Sequence, residues 1–382
     1  MDVTRTRTGP RVAALDGLRG VTIIMVILGH HSLIWPNMAL AAVPAVDGLF
    51  LGGAVVIFFI VGGYVVTRGL LAERERGALD PLKFYLRRIL RLGVQLVPLV
   101  LAILMIHKFD PTDPSRSSDT LASIANVLTY TWNYYAIDNV FSARGDLGHL
   151  WYLSVQQQVY LVLPLAVLLL GGLRRGFAAL LLVGTVAITI NRFRVLGDDG
   201  WFTASLLTTT RADGLLLGAL IAVTLPFLTR WAKWSSTALG LSATAMVALV
   251  LLHASFGPLS FLKIWGVMFA VAATVAVTAL VVGGPLGMVG RILGTRWLTA
   301  VGNASLPLFV WHVPIFVTIA RHTPEWSPSL RSIVGLAVLV AVTILAQRFI
   351  EEPTRRWLRD SSRFRSRPRD LTPSAGCSSS ET

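Results

Sequence analysis

The chain has 382 residues, of which 54% are hydrophobic and only 14% charged, with a formal net charge of +14 and a mean hydropathy of +0.66. Soluble domains carry about 25% charged residues, so this composition excludes a soluble globular protein and predicts a polytopic membrane protein. The single cysteine, Cys377, excludes a disulfide framework and a cysteine-based metal site, and basic residues set between apolar runs rather than on a polar domain argue against nucleic-acid binding.

Apolar runs long enough for a ~30 Å hydrocarbon core fall near residues 20–38, 46–67, 89–107, 151–171, 177–192, 204–226, 236–253, 263–283, 299–320 and 330–350. This predicts an all-α bundle of about ten transmembrane helices in the plasma membrane. Arginines and lysines at 5–19, 68–91, 174–175, 230–233, 291–296 and 348–369 occupy every second connection, so the positive-inside rule makes both termini cytoplasmic. In that scheme Arg192 falls in an outer segment and Arg211 lies inside a span. Residues 1–358 form the membrane domain, and the Ser-, Arg- and Pro-rich tail at 359–382 is expected to be disordered.

The first span opens on Leu15-Asp-Gly-Leu-Arg-Gly20 and ends at Gly29-His-His31. Its basic start and Ala-rich continuation would also fit a cleaved signal peptide, but its polar groups and the spans that follow suit a retained helix. Arg19 and His30 are eleven residues apart, three helical turns plus ~20°, so they share a face and His31 points elsewhere. A neutral imidazole in a low-dielectric bundle has what a general base needs. Arg19 could hold an anionic group or position an acyl donor, with Asp16 one turn earlier to fix it. A packed histidine and an ordinary inner-leaflet arginine are the plainer reading.

Arg87, Arg88 and Arg91 stand at the cytoplasmic start of the third span. Arginines there bind lipid headgroups as a matter of course, and they would equally bind the phosphates of a nucleotide-bearing donor. At the outer mouth of the fourth span come His149, Trp151, Ser154 and three glutamines, Gln156 to Gln158. Glutamines entering a membrane helix need partners, so this segment is either an interhelix hydrogen-bond network or a substrate site. Arg211 and Asp213 should neutralise each other or a partner helix. His312, two residues before Pro314, adds a second histidine inside the bundle, structural or able to orient a substrate or shuttle a proton. No histidine, cysteine or acidic cluster has metal-ligand spacing, and none of the familiar nucleotide or serine-hydrolase fingerprints is present.

Five segments in this order resemble the acyltransferase 3 family of membrane O-acyltransferases: Leu15 to Gly20 with His30, Phe58-Phe-Ile-Val-Gly-Gly-Tyr64, Phe84-Tyr-Leu-Arg-Arg-Ile-Leu-Arg91, Trp151 to Tyr160, and Gly302 to Pro314 followed by Glu351-Glu-Pro353. The resemblance implies about ten transmembrane helices, an acyl-CoA co-substrate reached from the cytoplasm, no metal, and transfer of the acyl group to a hydroxyl. It places an Arg-x10-His motif on Arg19 and His30 and an Arg-x-x-Arg motif on Arg88 and Arg91. His30 would be the base that activates the acceptor hydroxyl or a transient acyl carrier.

Two departures stand out. Gln156 and Gln157 occupy positions where the family carries glutamates, and Gly62-Gly63 replaces a Ser-Gly pair. An amide cannot accept a proton or balance an imidazolium, so an acid to support His30 is missing from its expected place. The chain shows no appended hydrolase-like domain, from which a stand-alone enzyme is expected, acting on a glycan precursor or a macrolide-like metabolite. Competing readings are a transporter or flippase of a polar or lipid-linked metabolite, using Arg211, Asp213 and His312, and a catalytically impaired relative.

Overall fold

The computed structural model describes residues 10–35 and 53–360. The expected tail disorder, Cys377 and the residues joining the first two spans lie outside this range. The described residues are helical and contain no strand. The long apolar helices are α1 (Pro10–Ile34), α2 (Ala54–Glu75), α3 (Pro81–Phe109), α4 (Trp151–Leu170), α5 (Arg174–Asp198), α6 (Asp213–Leu228), α7 (Ser235–Leu252), α8 (Ile264–Val281), α9 (Ser305–His322) and α10 (Pro328–Ala346). Local chemistry starts two of them. Asp80 caps α3 by accepting from Lys83 N–H, and Ser327 caps α10 by accepting from Leu330 N–H, each followed by a proline that needs no donor partner.

Eight helical stretches are long and apolar enough to cross a membrane, and Arg296–Asn303 with α9, bent by 68°, makes a ninth. The longest stretch, Asp213–Leu252, has 40 residues, twice what the hydrocarbon core requires. It doubles back on itself. Asp213 at its start and Phe261 just beyond its end line one recess, whereas Ser235 in its middle donates to the Pro285 carbonyl at the opposite end of the bundle. The reversal falls in the 3-10 segment Thr229–Trp234. The described residues therefore make ten crossings, a multi-pass membrane bundle.

Small residues let the helices approach. A Cβ on Gly20 would strike the Leu298 carbonyl and one on Gly302 the Asp16 carbonyl, which seats the Arg296–Asn303 helix directly against α1. A Cβ on Gly63 would meet the Leu215 carbonyl and one on Gly218 the Ile60 carbonyl, which locks α2 against α6. Such contacts give van der Waals packing where lipid removes the hydrophobic drive between helices. One end of the bundle gathers arginines: Arg174 pairs with Glu75 at 2.5 Å, Arg87 with Glu73 at 2.8 Å, and Arg355 with Glu351 at 2.9 Å. The first described helix begins at that end, and the last one lies there.

The opposite end is built from residues 108–150, between the third and fourth apolar runs, which fold into the helices Ser117–Leu128 and Trp132–Asp138 and a 3-10 turn, Gly145–Leu150. Their hub is Asp113, 2% exposed at its side chain, which accepts from Arg144 at 2.8 Å, His107 at 2.9 Å and Arg321 at 3.1 Å. Burial pushes the Asp113 carboxyl up, but the hydrogen bonds from Arg144 and His107 and the Arg144 charge outweigh it and hold it well below the usual carboxylate range. A depressed folded pKa stabilises at pH above the unfolded value, about 4, and that stability drains as pH falls below it toward the folded value. Asp113→Asn is expected to cost about 3 kcal/mol, because it leaves buried guanidinium unbalanced. A lowered melting temperature at pH 7 that converges with wild type below about pH 4 checks this.

Candidate active site: an arginine-lined cavity and a histidine cluster

A cavity of about 160 Å³ opens among α1, α2, α3, α4 and α9 at the arginine end. Arg19, Arg88 and Arg91 reach it, with Gln156, Tyr152 and Tyr160 from α4. Arg19 pairs with Asp16 at 3.3 Å and donates to Ser305 Oγ at 2.8 Å. Ser305 is available because the helix breaks at Ala304 and begins again there. Arg91 lies 3.9 Å from the buried Glu351, which is held more closely by Arg355 and also accepts from Gln95 at 3.2 Å.

Arg88 has no carboxylate in contact among the described residues. It donates to Gln157 Oε1 and Gln156 Oε1, both at 3.1 Å, and lies 4.1 Å over the Tyr160 ring. The two glutamines thus stand beside an arginine and not beside a histidine. Whatever glutamates do at these positions in other chains, here the amides leave the Arg88 charge uncompensated. Three guanidinium groups face one small cavity, with Asp16 on Arg19 and Glu351 at 3.9 Å from Arg91 as the acids in contact among the described residues. The third glutamine, Gln158, is tied outside the cavity to the Tyr130 carbonyl at 2.8 Å and Asn133 at 2.9 Å. Gly62 lines the cavity, and only glycine fits there, because a Cβ would press on Tyr160 Oη at 2.7 Å.

The cavity closes on Phe309 and Tyr152, whose rings lie 5.2 Å apart. On the far side of Phe309 sit three imidazoles. His30 from α1 and His149 from the 3-10 turn each approach His312 from α9, with ring centroids 4.8 and 4.9 Å away. Each imidazole has a nitrogen on a backbone carbonyl. His30 Nδ1 donates to Val26 O at 2.9 Å, His312 Nδ1 to Phe309 O at 2.7 Å, and His149 Nε2 to Val310 O at 3.2 Å. A carbonyl only accepts, so these contacts assign the proton of each neutral ring and leave His30 Nε2, His312 Nε2 and His149 Nδ1 as acceptors. The latter two are buried without a hydrogen-bond partner.

The sequence encodes this arrangement locally. Pro314 has no N–H for the carbonyl four residues back, which is that of Val310. The freed carbonyl is the one that holds His149. His31 faces the other way, donating or accepting at Ser332 Oγ (2.9 Å) and packed edge-on against Trp35.

Several residues singled out in the sequence lie elsewhere. Arg87 does not line the cavity and makes a two-oxygen contact with Glu73. Ser154 is buried in α4 away from the cavity lining. Asp213 pairs with Arg192 at 2.5 Å rather than with Arg211. Arg192, expected in an outer segment, is 3% exposed inside α5, because that helix continues to Asp198 through a run without a breaker. Arg211 lies over Trp151, 5.4 Å from its ring centre. Phe309 and Glu351 were not placed in the site from the sequence; His149 was, as part of the fourth-span segment, and the signal that ties it to His312 is Pro314 and its orphaned carbonyl. Among the described residues no group of three or more histidines, cysteines or acids is placed to hold a metal.

A family model described as an acyltransferase domain matches residues 12–348. The chain is similar to the peptidoglycan O-acetyltransferase OatA of Listeria monocytogenes, 26% identical over 361 residues, and to the O-acetyltransferase OatA of Staphylococcus aureus, 27% identical over 359 residues. Each alignment covers 90% of this chain and 56% or 57% of the relative, so the chain spans just over half the length of these curated relatives. No solved structure matches it.

Proposed function

The chain belongs to the acyltransferase-domain family, and on that premise we propose that it is a membrane O-acyltransferase that moves a short acyl group from acyl-CoA to a hydroxyl of a glycan or related metabolite. The observation that carries the reading is the histidine cluster: three imidazoles, each with its N–H occupied by a backbone carbonyl, sit one aromatic ring beyond an arginine-lined cavity. The buried acceptor nitrogens of His149 and His312 have no hydrogen-bond partner and call for a donor, and a substrate O–H is one. His30 Nε2 takes the hydroxyl proton as the oxygen attacks the thioester carbonyl. The C–S bond breaks, the thiolate leaves as CoA and takes up a proton, and the acceptor keeps the acyl group as an ester.

Arg19, Arg88 and Arg91 suit the anionic part of the donor, since guanidinium groups bind phosphate oxygens in a planar fork. Only the reactive end of a CoA thioester fits about 160 Å³, so the nucleotide stays outside, at the arginine end. That end is the cytoplasmic one by the positive-inside rule, which puts the described termini on the cytoplasmic side. The acceptor class is supported by the Listeria relative, whose name is that of a peptidoglycan O-acetyltransferase.

Purified protein incubated with acetyl-CoA and candidate acceptors should release free thiol only when a hydroxyl acceptor is present, and Arg19→Ala should raise the KM for acetyl-CoA more than it lowers kcat. Movement of a solute across proteoliposomes with no thiol release would make the chain a transporter instead.

A further inference from the structure

Tyr152, Gln156 and Tyr160 follow one another along α4 at intervals of four, so they share the helix face that lines the cavity. The first two are tied down. Gln156 Nε2 donates to Tyr152 Oη at 2.9 Å, and Gln156 Oε1 accepts from Arg88 at 3.1 Å. Tyr160 is 2% exposed, and its hydroxyl is buried without a hydrogen-bond partner among the described residues. The polar groups beside it, the Arg88 guanidinium 4.1 Å over its ring and the Gln156 amide nitrogen, offer only donor hydrogens. The phenol proton therefore has no acceptor on the cavity wall. Gly62 leaves the hydroxyl uncovered. A Cβ there would lie 2.7 Å from Tyr160 Oη and 3.0 Å from Gln156 Nε2, so the serine of the family pattern would fill the space in front of both.

A buried hydroxyl with an unspent proton is costly until something accepts from it, and this one faces a space that admits a ligand. Its position selects the ligand atom. Tyr152 and Phe309 mark the end of the cavity nearest the histidines, and Tyr160 lies eight residues, about 12 Å, further along the helix axis. We propose that Tyr160 donates its hydroxyl hydrogen to an amide carbonyl of the arm joining the thioester of the acyl donor to its diphosphate. The phosphates are left to the arginines and the thioester to the histidine end. What lies between them in a CoA thioester is the pantetheine arm, whose amide carbonyls accept hydrogen bonds and carry no charge. Tyr160 is in this sense a donor-binding residue, and the assignment rests on the acyl-CoA reading above.

The test compares the purified wild type with Tyr160→Phe, which keeps the ring beneath Arg88 and removes only the hydroxyl. Desulfo-CoA carries both arm and nucleotide, and 3′-phospho-ADP carries the nucleotide with its diphosphate alone. Binding of each is read from the rise in melting temperature with ligand concentration. Tyr160→Phe should bind desulfo-CoA about tenfold more weakly, the size of one neutral hydrogen bond, and should bind 3′-phospho-ADP as wild type does. The KM for acetyl-CoA should rise by the same factor with kcat nearly unchanged. Without ligand, Tyr160→Phe should melt at or above wild type, because a buried hydroxyl without a partner has been removed. A lower melting temperature would make the hydroxyl structural, and equal weakening of both ligands would put it on a phosphate; either result overturns the proposal. Undiminished desulfo-CoA binding in Tyr160→Phe overturns it alone and leaves the acyl-CoA reading standing. Absence of desulfo-CoA binding in wild type overturns both.

Discussion

His30→Ala is expected to lower acceptor-dependent thiol release roughly a thousandfold, within the range general-base catalysis supplies, while the protein still folds. The ring donates Nδ1–H to Val26 O and packs edge-on against His312, and the melting curve separates the structural cost of losing these contacts from the chemical one. His149 and His312 also carry their N–H groups on backbone carbonyls, of Val310, Phe309 and Leu308, so residual turnover in this variant reads how far either replaces His30 as the base. The neighbouring His31→Ala supplies the contrast. His31 is bonded to Ser332 and packed on Trp35 and Phe316, so that variant should melt lower and keep most of its specific activity. Equal losses in the two variants would remove His30 from the reaction. The experiment needs only thiol release and a melting curve on both proteins.

That contrast follows from one helical period, and periodicity is what the sequence states most legibly. Eleven residues carry Arg19 and His30 to the same interior, and one more turns His31 away. The ten crossings and the gathering of arginines at one end were also legible, since apolar length and the placement of Lys and Arg decide both. What was not legible depends on partners distant in sequence. Arg192 looked like a loop residue because the apolar run fades before it, and only the structure shows α5 carrying it inward to Asp213. This reassignment leaves Arg211 without an ion pair among the described residues. Gln156 and Gln157 read as a missing acid for a histidine; packed against α3, they turn out to serve Arg88. The division of the site by Phe309 and Tyr152 depends on ring placement, for which spacing gives no signal.

The Arg88 environment yields the second large effect. Arg88→Gln should raise the KM for acyl-CoA about a hundredfold, the equivalent of a charge-assisted hydrogen bond of about 2–3 kcal/mol, with kcat changed far less. Gln156→Glu tests the same charge from the other side. It puts a carboxylate where the Gln156 amide oxygen now lies, 3.1 Å from Arg88 Nη2, and the resulting ion pair competes with the donor for the guanidinium. KM for acyl-CoA should then rise by about tenfold, roughly 1.4 kcal/mol, and the melting temperature should rise as Arg88 gains a counter-ion. The alternative meaning of these glutamines, that the chemistry lacks an acid, predicts the opposite pattern: kcat climbs in Gln156→Glu and KM stays put. Because Gln156 touches Arg88 and Tyr152 rather than an imidazole, a carboxylate there has no histidine to support, and the binding effect should win.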